Sequence, residues 1–218
     1  QGLKGGLTSV LGSSTVNEFR GQYAYDNRDQ TPQSLLPQMD IADFGTIGGN
    51  ADGAIIYKAR RVEVKDDLSI ARGSHSLRFG VDTNVTPEYM VREKNRGGLY
   101  NFATMADYLA GKILQSQQAL PAAGAKGYYD GTQRDVAAYA QDEMRLRSNV
   151  TLTASLRWDG QFQPQPDRPN PKYPITSHIP NDLKMWQPRL GLAYDLGGRG
   201  QTVLRLSGGM FDARTPGY

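Results

Sequence analysis

The sequence predicts an all-β fold: an antiparallel, up-and-down transmembrane β-barrel segment of about eight strands with alternating short turns and long loops. Three observations predict it. The first is the run from Val150 to Asp159, which sets Val150, Leu152, Ala154, Leu156 and Trp158 against Thr151, Thr153, Ser155, Arg157 and Asp159 without a break. Strand side chains alternate between two faces, so this is a strand with one apolar and one wet face. It matches the roughly 9–11 residues with which a tilted strand crosses a bilayer. The second observation is that the same design recurs along the chain. The third is that the connections between these strands run short, long, short, long, short, long, short.

The first strand, near Leu3–Val10, is short and rich in glycine, as expected of a chain that begins mid-structure. A turn at Leu11–Ser14 leads into Thr15–Asp26, where Phe19, Gly21, Tyr23 and Tyr25 alternate with Glu18, Arg20, Gln22 and Ala24. A long segment follows from Asn27 to about Gly53, with Pro32, Pro37 and the Gly48-Gly49 pair. In the third strand, about Tyr57–Ile70, Val62, Val64, Leu68 and Ile70 oppose Arg61, Glu63, Lys65 and Asp67. Asp66 interrupts the apolar row, which places it near a membrane boundary. After the turn Ala71–Ser74 comes a fourth strand, in which Leu77, Phe79 and Val81 alternate with Arg78, Gly80 and Asp82.

The second long segment, about Thr86–Gly131, contains a short helix predicted at Ala103–Ala110 and stopped by Gly111 as its C-terminal cap. The fifth strand, about Thr132–Leu146, carries only the weak row Val136, Ala138, Ala140, with Tyr139 on the opposite side. A turn at Arg147–Asn149 opens the sixth strand, Val150–Asp159. A third long loop, about Gly160–Gln187, holds six of the twelve prolines, and Pro188 opens the next strand. Strand seven sets Leu190, Leu192, Tyr194 and Leu196 against Arg189, Gly191, Ala193 and Asp195. The turn Gly197–Gly200 reaches strand eight, Gln201–Phe211, where Leu204, Leu206 and Met210 oppose Val203, Arg205 and Ser207. Residues Asp212–Tyr218 read as the start of another loop.

Alternation of short turns with long loops is the habit of bacterial outer-membrane barrels, whose turns face the periplasm and whose loops face outward. A soluble antiparallel sandwich has no such rule. Aromatic rings near strand ends, at Tyr23, Tyr25, Trp158 and Trp186, suit an interfacial girdle. The whole of residues 1–218 is therefore expected to be part of one outer-membrane β-barrel domain.

Composition agrees. Hydrophobic residues make up only 38% of the 218, with no apolar run near the ~18 residues of a spanning helix. A barrel escapes that test because lipid meets only every second residue. The chain has no cysteine, which excludes disulfides, thiolate catalysis and Cys-based zinc sites. The net charge of +3 is spread among acidic residues, so no nucleic-acid footprint is expected. The opening Gln1–Lys4 lacks the charged start and apolar core of a signal peptide, so a mature or internal segment is expected.

Several stretches resemble the barrel of TonB-dependent outer-membrane receptors, in particular the Oar-like branch. They are Thr15–Arg20; Asp66–Leu68 leading to Arg72–Gly80; Tyr139–Glu143 with Asn149–Thr153 and Leu156–Trp158; and Pro188–Asp195 followed by Thr202–Arg205. The likeness rests on their order and spacing and covers nearly all of the chain. It implies a large 22-stranded barrel with an N-terminal plug and a TonB-contacting segment; neither plug nor TonB box is recognisable in these residues. It implies energy-coupled passage of a bulky solute across the outer membrane, in which this segment supplies wall, lumen lining and extracellular surface. Oar-like members also resemble proteins of secretion and adhesion. The partners implied are outer-membrane lipid, the rest of the barrel and plug, the TonB complex through other segments, and a ligand whose identity is unknown.

No catalytic residue, cofactor or metal site is expected, and substrate-binding residues are not identifiable. The charges on the predicted lumen side, Glu18, Arg20, Arg61, Glu63, Lys65, Arg78, Asp82, Arg157, Asp159, Arg189 and Arg205, would either guide a charged solute or pair across strands; pairing is favoured because every such interior is polar. The loop aromatics Tyr89, Tyr100, Phe102, Tyr128, Tyr129 and Tyr173 would stack on a ligand or pack the loops together. His75, at a turn, and His178, in the proline-rich loop, are the only histidines and lack the partners a zinc site needs. The adjacent acids Asp66-Asp67 and Asp142-Glu143 point to opposite faces and cannot converge on one substrate; they read as charges beside the short turns. No phosphate-binding glycine loop or nucleophile elbow occurs. The sequon Asn149-Val150-Thr151 is explained by the strand pattern. Two further readings stay open: a self-contained eight-stranded outer-membrane barrel acting as anchor or adhesin, and a soluble β-sandwich binding module.

Overall fold

The computed structural model describes residues 1–34, 36–120, 127–167 and 169–215. The eight predicted strands form one sheet. They are β1 (Gly2–Val10), β2 (Thr15–Gln30), β5 (Ile55–Arg72), β6 (His75–Arg92), β9 (Tyr128–Arg147), β10 (Val150–Phe162), β11 (Asp182–Asp195) and β12 (Val203–Gly209), in the order β1-β2-β5-β6-β9-β10-β11-β12. Four short strands were not predicted: β3 (Gln38–Ile41), β4 (Gly45–Gly48), β7 (Leu99–Phe102) and β8 (Gln115–Gln117). They form a second sheet of order β4-β3-β7-β8. No described helix is long and apolar enough to cross a membrane.

The short turns fall where predicted. Gly73, between β5 and β6, has φ +60°, the left-handed conformation a tight hairpin demands. The turn between β11 and β12 places Gly197, Gly198 and Gly200 in the same region. The long connections are shorter than the sequence suggested because the strands run on. β6 extends to Arg92 and β9 begins at Tyr128, inside the segment 86–131; β11 begins at Asp182 rather than at Pro188. Backbone pairing needs no particular side chain, so a ladder continues past the point where alternation for lipid stops. The expected loop at Asp212–Tyr218 lies partly outside the described residues.

Pro188 therefore stands inside a strand, opposite Leu156 of β10. Its carbonyl accepts from the Met210 amide at 2.9 Å, on the β12 side. The N–H and C=O of one antiparallel residue point the same way, so the missing donor also falls on that side, just where β12 ends. No β10–β11 bond is lost.

The chain divides into two compact units. The first comprises residues 1–24, 60–86 and 132–218. Its burial is inverted relative to a water-soluble domain. Asp67, Asp135, Asp159, Gln161 and Gln187 are buried, whereas Leu3, Leu7, Leu190 and Leu206 are 57–77% exposed. Register puts the exposed apolar residues on one face: Leu3 opposes Tyr23, Leu7 opposes Phe19, Trp158 opposes Trp186 and Leu192 opposes Leu206. Isolated exposed leucines need no explanation, but a continuous apolar face does. Toward the long-loop end of that face the Trp158 and Trp186 rings lie 6.3 Å apart, and Trp158 Nε1 donates to the Leu183 carbonyl at 2.9 Å.

Toward the short turns the apolar face carries polar pairs. Asn17 donates to Asp66 at 3.0 Å, and His75 Nδ1 lies 2.7 Å from Asp142. Asp66 is thus at the edge of the apolar band, as its interruption of the row suggested. Asp67 is a correction: it does not wet the rim but is buried on the polar face.

The second unit comprises residues 25–59 and 87–131, so the division falls within β2, β5, β6 and β9. Two connections predicted as separate loops are knitted together here. β3, from the first, pairs in parallel with β7, from the second, while β4 and β8 flank them antiparallel. Ile41 and Phe102 are its buried core, and Phe102 meets Tyr108 edge-on with centroids 5.2 Å apart. The predicted helix is the single turn α1 (Met105–Leu109), trimmed because Thr104 is its N-cap, accepting from the Asp107 amide at 3.1 Å. Gly111, at φ +67°, terminates it as expected.

Candidate functional site on the polar face of the sheet

The polar face is the one surface where the sheet gathers chemistry. It is built from even positions of β2 and β6 and odd positions of β5, β9, β10 and β11, each strand contributing alternate side chains. Two buried carboxylates organise it.

Asp67 accepts from Arg20 Nη2 at 3.1 Å and from the Tyr139 hydroxyl at 2.5 Å, with Lys65 Nζ at 3.6 Å. Tyr139 is on β9, and β6 lies between it and β5. The ring reaches Asp67 by crossing Gly80, where an added Cβ would sit 2.2 Å from the ring Cε1 and 2.6 Å from Asp67 Oδ1. Only glycine permits that approach.

Asp159 is the second centre. Arg157 donates to it twice, at 2.7 and 2.9 Å, Gln187 Nε2 at 2.7 Å and Arg214 Nη2 at 2.6 Å. Arg157 also stands 3.7 Å from Asp82, and Arg214 3.7 Å from Asp135. Asp135 accepts from Gln133 at 3.2 Å and Asn84 at 3.4 Å. Gln161 closes the set by exchanging two hydrogen bonds with the Thr215 backbone. The segment after β12 is thereby tied to β9 and β10, across the intervening β11. Buried charges persist only when paired and hydrogen-bonded, and these are.

Among the predicted lumen charges the structure brings together Glu18 with Arg20, Lys65 with Asp67, and Asp82, Arg157 and Asp159. Arg189 donates to Gln187 at 2.8 Å and stacks on Phe211 at 4.4 Å. Arg61, Glu63, Arg78 and Arg205 form no ion pair among the described residues. The buried members Asp135, Gln161 and Gln187, and the partly buried Arg214, were not foreseen. The signal for Tyr139 was present, since its ring falls on the polar side of β9; the signal for Arg214 was not, because its role depends on chain reversal after β12.

The loop aromatics mostly pack the second unit. Tyr89 meets Tyr128 at 5.3 Å, Phe102 is core, and Tyr100 covers Gly98. Tyr129 is partly buried at the start of β9, while Tyr173 is 63% exposed. His178 follows a short 3-10 turn, Pro174–Ser177. No group of three metal-ligating side chains occurs among the described residues. Asn149 of the sequon is a turn residue whose amide donates to the Asp195 carbonyl at 3.2 Å.

An exposed apolar face, a buried polar face and short turns alternating with long loops together define a sheet whose solvent on one side is lipid. Comparison with known proteins agrees: the model of an outer membrane beta barrel domain matches residues 1–218. The chain belongs to this family of outer membrane beta barrel domains. No curated protein matches it. As an outer membrane beta barrel domain it resides in the bacterial outer membrane, its polar face is the lumen wall and its apolar face meets acyl chains. The sandwich reading is overturned, because the apolar face of a sandwich would be covered by a second sheet.

Proposed function

We propose that this outer membrane beta barrel domain is a wall segment of a TonB-dependent receptor of the Oar-like kind. On this reading it spans the membrane, presents extracellular loops for ligand uptake and performs no catalysis. Its partners are lipid, the remaining strands and plug, and, through other segments, the TonB complex. The observation that carries the reading is the second unit: two long connections fold into one sheet with its own core, as a ligand-presenting surface requires and a plain membrane anchor does not. Strand length supports it. The 20 residues of β9 would extend about 65 Å, well beyond an apolar band of about 25 Å even when tilted.

The intact mass of the native polypeptide in a purified outer-membrane fraction tests the proposal. A mass several times the 24.0 kDa of these residues, with cross-linking to the TonB complex, is expected. A mass near 24.0 kDa would replace it with the second reading, a self-contained anchor or adhesin. That alternative is favoured by the sheet's eight strands, a number with which small barrels close.

A further inference from the structure

One part of the lumen wall is not consumed by its own ion pairs. Between the two carboxylate centres lies a recess of about 250 Å³ lined by Lys65, Arg78, Gln141, Ser155, Arg157 and Arg189, with the Tyr139 ring at its side. Register makes it a built feature: Gln141, Ser155 and Arg189 form one straight row across β9, β10 and β11, and Arg157 stands opposite Tyr139 in the next row. Four cations face this recess and no carboxylate lines it. The acids at its margin engage only part of the lining: Asp67 accepts from Tyr139 and stands near Lys65, and Asp159 and Asp82 pair with Arg157.

The four cations are not equivalent. Arg157 is committed to Asp159 and Asp82. Lys65 keeps only the long contact to Asp67 and lies 5.9 Å from the centre of the Tyr139 ring. Arg189 has a neutral amide and an aromatic ring as partners, and Arg78 has no hydrogen bond or ion pair among the described residues. Arg78 thus keeps its whole donor fork and Arg189 the donors not given to Gln187, with the Ser155 hydroxyl and Gln141 amide between them. Carboxylate and phosphate oxygens are the groups that match such forks two bonds at a time.

We propose that this recess is a subsite for an anionic solute, holding a carboxylate or phosphate group between Arg78 and Arg189 on the lumen wall. The inference rests on the reading of this face as the lining of a transport path. Its ligand is a small oligoanion in transit; an acidic side chain from another part of the same protein would fill the recess permanently and leave no subsite.

The test uses the native outer-membrane polypeptide that contains these residues, purified in detergent. Calorimetric titration with citrate and with inorganic phosphate is compared with titration by glucose as a neutral probe. Binding of citrate or phosphate but not glucose is expected, weakening as salt is raised. Whichever probe binds separates carboxylate from phosphate preference. Arg78→Gln and Arg189→Gln are each expected to weaken binding about tenfold, the effect of losing a charge-assisted bidentate contact. Arg205→Gln removes the same charge from the same wall outside the recess and is expected to leave affinity within about twofold. Absence of anion binding, or equal losses in all three variants, overturns the proposal. Citrate or phosphate binding needs no TonB, so specific binding in a protein of 24.0 kDa would retain the subsite while removing the receptor reading.

Discussion

At the scale of single residues, the polar face depends on close approaches that only particular side chains allow. Gly80 is the clearest. Its absent Cβ gives the Tyr139 ring a path across β6 to a carboxylate two strands away. Gly80→Ala would push the ring off Asp67 and cost about 1–3 kcal/mol, as overpacking does. Tyr139→Phe, which removes only the hydroxyl, would cost about 1.5–3 kcal/mol, because the bond lost is to a carboxylate. Urea-induced unfolding in detergent or vesicles, followed by tryptophan fluorescence, checks both. A Gly80→Ala protein as stable as the parent would mean that the ring does not cross there. Asp159 gives a second expectation. Asp159→Ala leaves the Arg157 guanidinium and the Gln187 amide without their main acceptor. It also frees Arg214 and should expose the segment after β12 to protease. Limited proteolysis followed by mass measurement reads that release directly.

At the scale of elements, the loop sheet is the part most separable from the membrane wall. Its core is small, Ile41 and Phe102 with Tyr108 against them. Phe102→Ala is expected to cost about 3 kcal/mol or more locally, enough to unfold a four-stranded sheet of three- and four-residue strands. The membrane strands should survive, because they take their stability from ladders and lipid rather than from this core. Hydrogen exchange should therefore lose protection at residues 38–48 and 99–117 while β10 keeps its own. Uniform loss across both would show one cooperative unit instead. This sheet was invisible to periodicity. Strands of three or four residues are too short to display a period, and a parallel pair between distant loops has no local signature. The end of the helix was legible because its signal, Gly111, acts over one turn, whereas its start was placed too early, at Ala103, because the Thr104 cap was not read.

At the scale of the whole molecule, the inverted distribution of polarity predicts opposite outcomes for neighbouring substitutions. Leu206 is 59% exposed on the apolar face, and Ser207 follows it on the polar face opposite Gly191. Leu206→Arg places a charge in lipid and should cost about 2–4 kcal/mol near mid-membrane. Ser207→Arg faces the lumen and should be nearly neutral. Folding into vesicles, scored by the heat-sensitive shift in gel mobility common to stable barrels, checks the pair. Equal tolerance would mean that the apolar face meets water rather than lipid. A sandwich core would give the same order of costs, so the dependence of folding on vesicles or detergent is what assigns the cost at Leu206 to lipid.

The sequence by itself determined the eight membrane strands, their faces, the short turns and the side on which the long connections lie. Each follows from interactions repeated every second residue or confined to one turn, such as the alternation of Val150–Asp159 or the glycines of the β11–β12 turn. The residues lining the polar face were legible as a set for the same reason. Which of them stand paired was not. Asp67 finds Tyr139 across an intervening strand, Asp159 finds Arg214 across β11, and Arg78 finds no carboxylate at all. Those outcomes depend on register between strands far apart in the chain and on the reversal after β12. Only the tertiary structure decides them, because a strand's own pattern fixes the face a charge occupies but not the height at which its neighbour arrives.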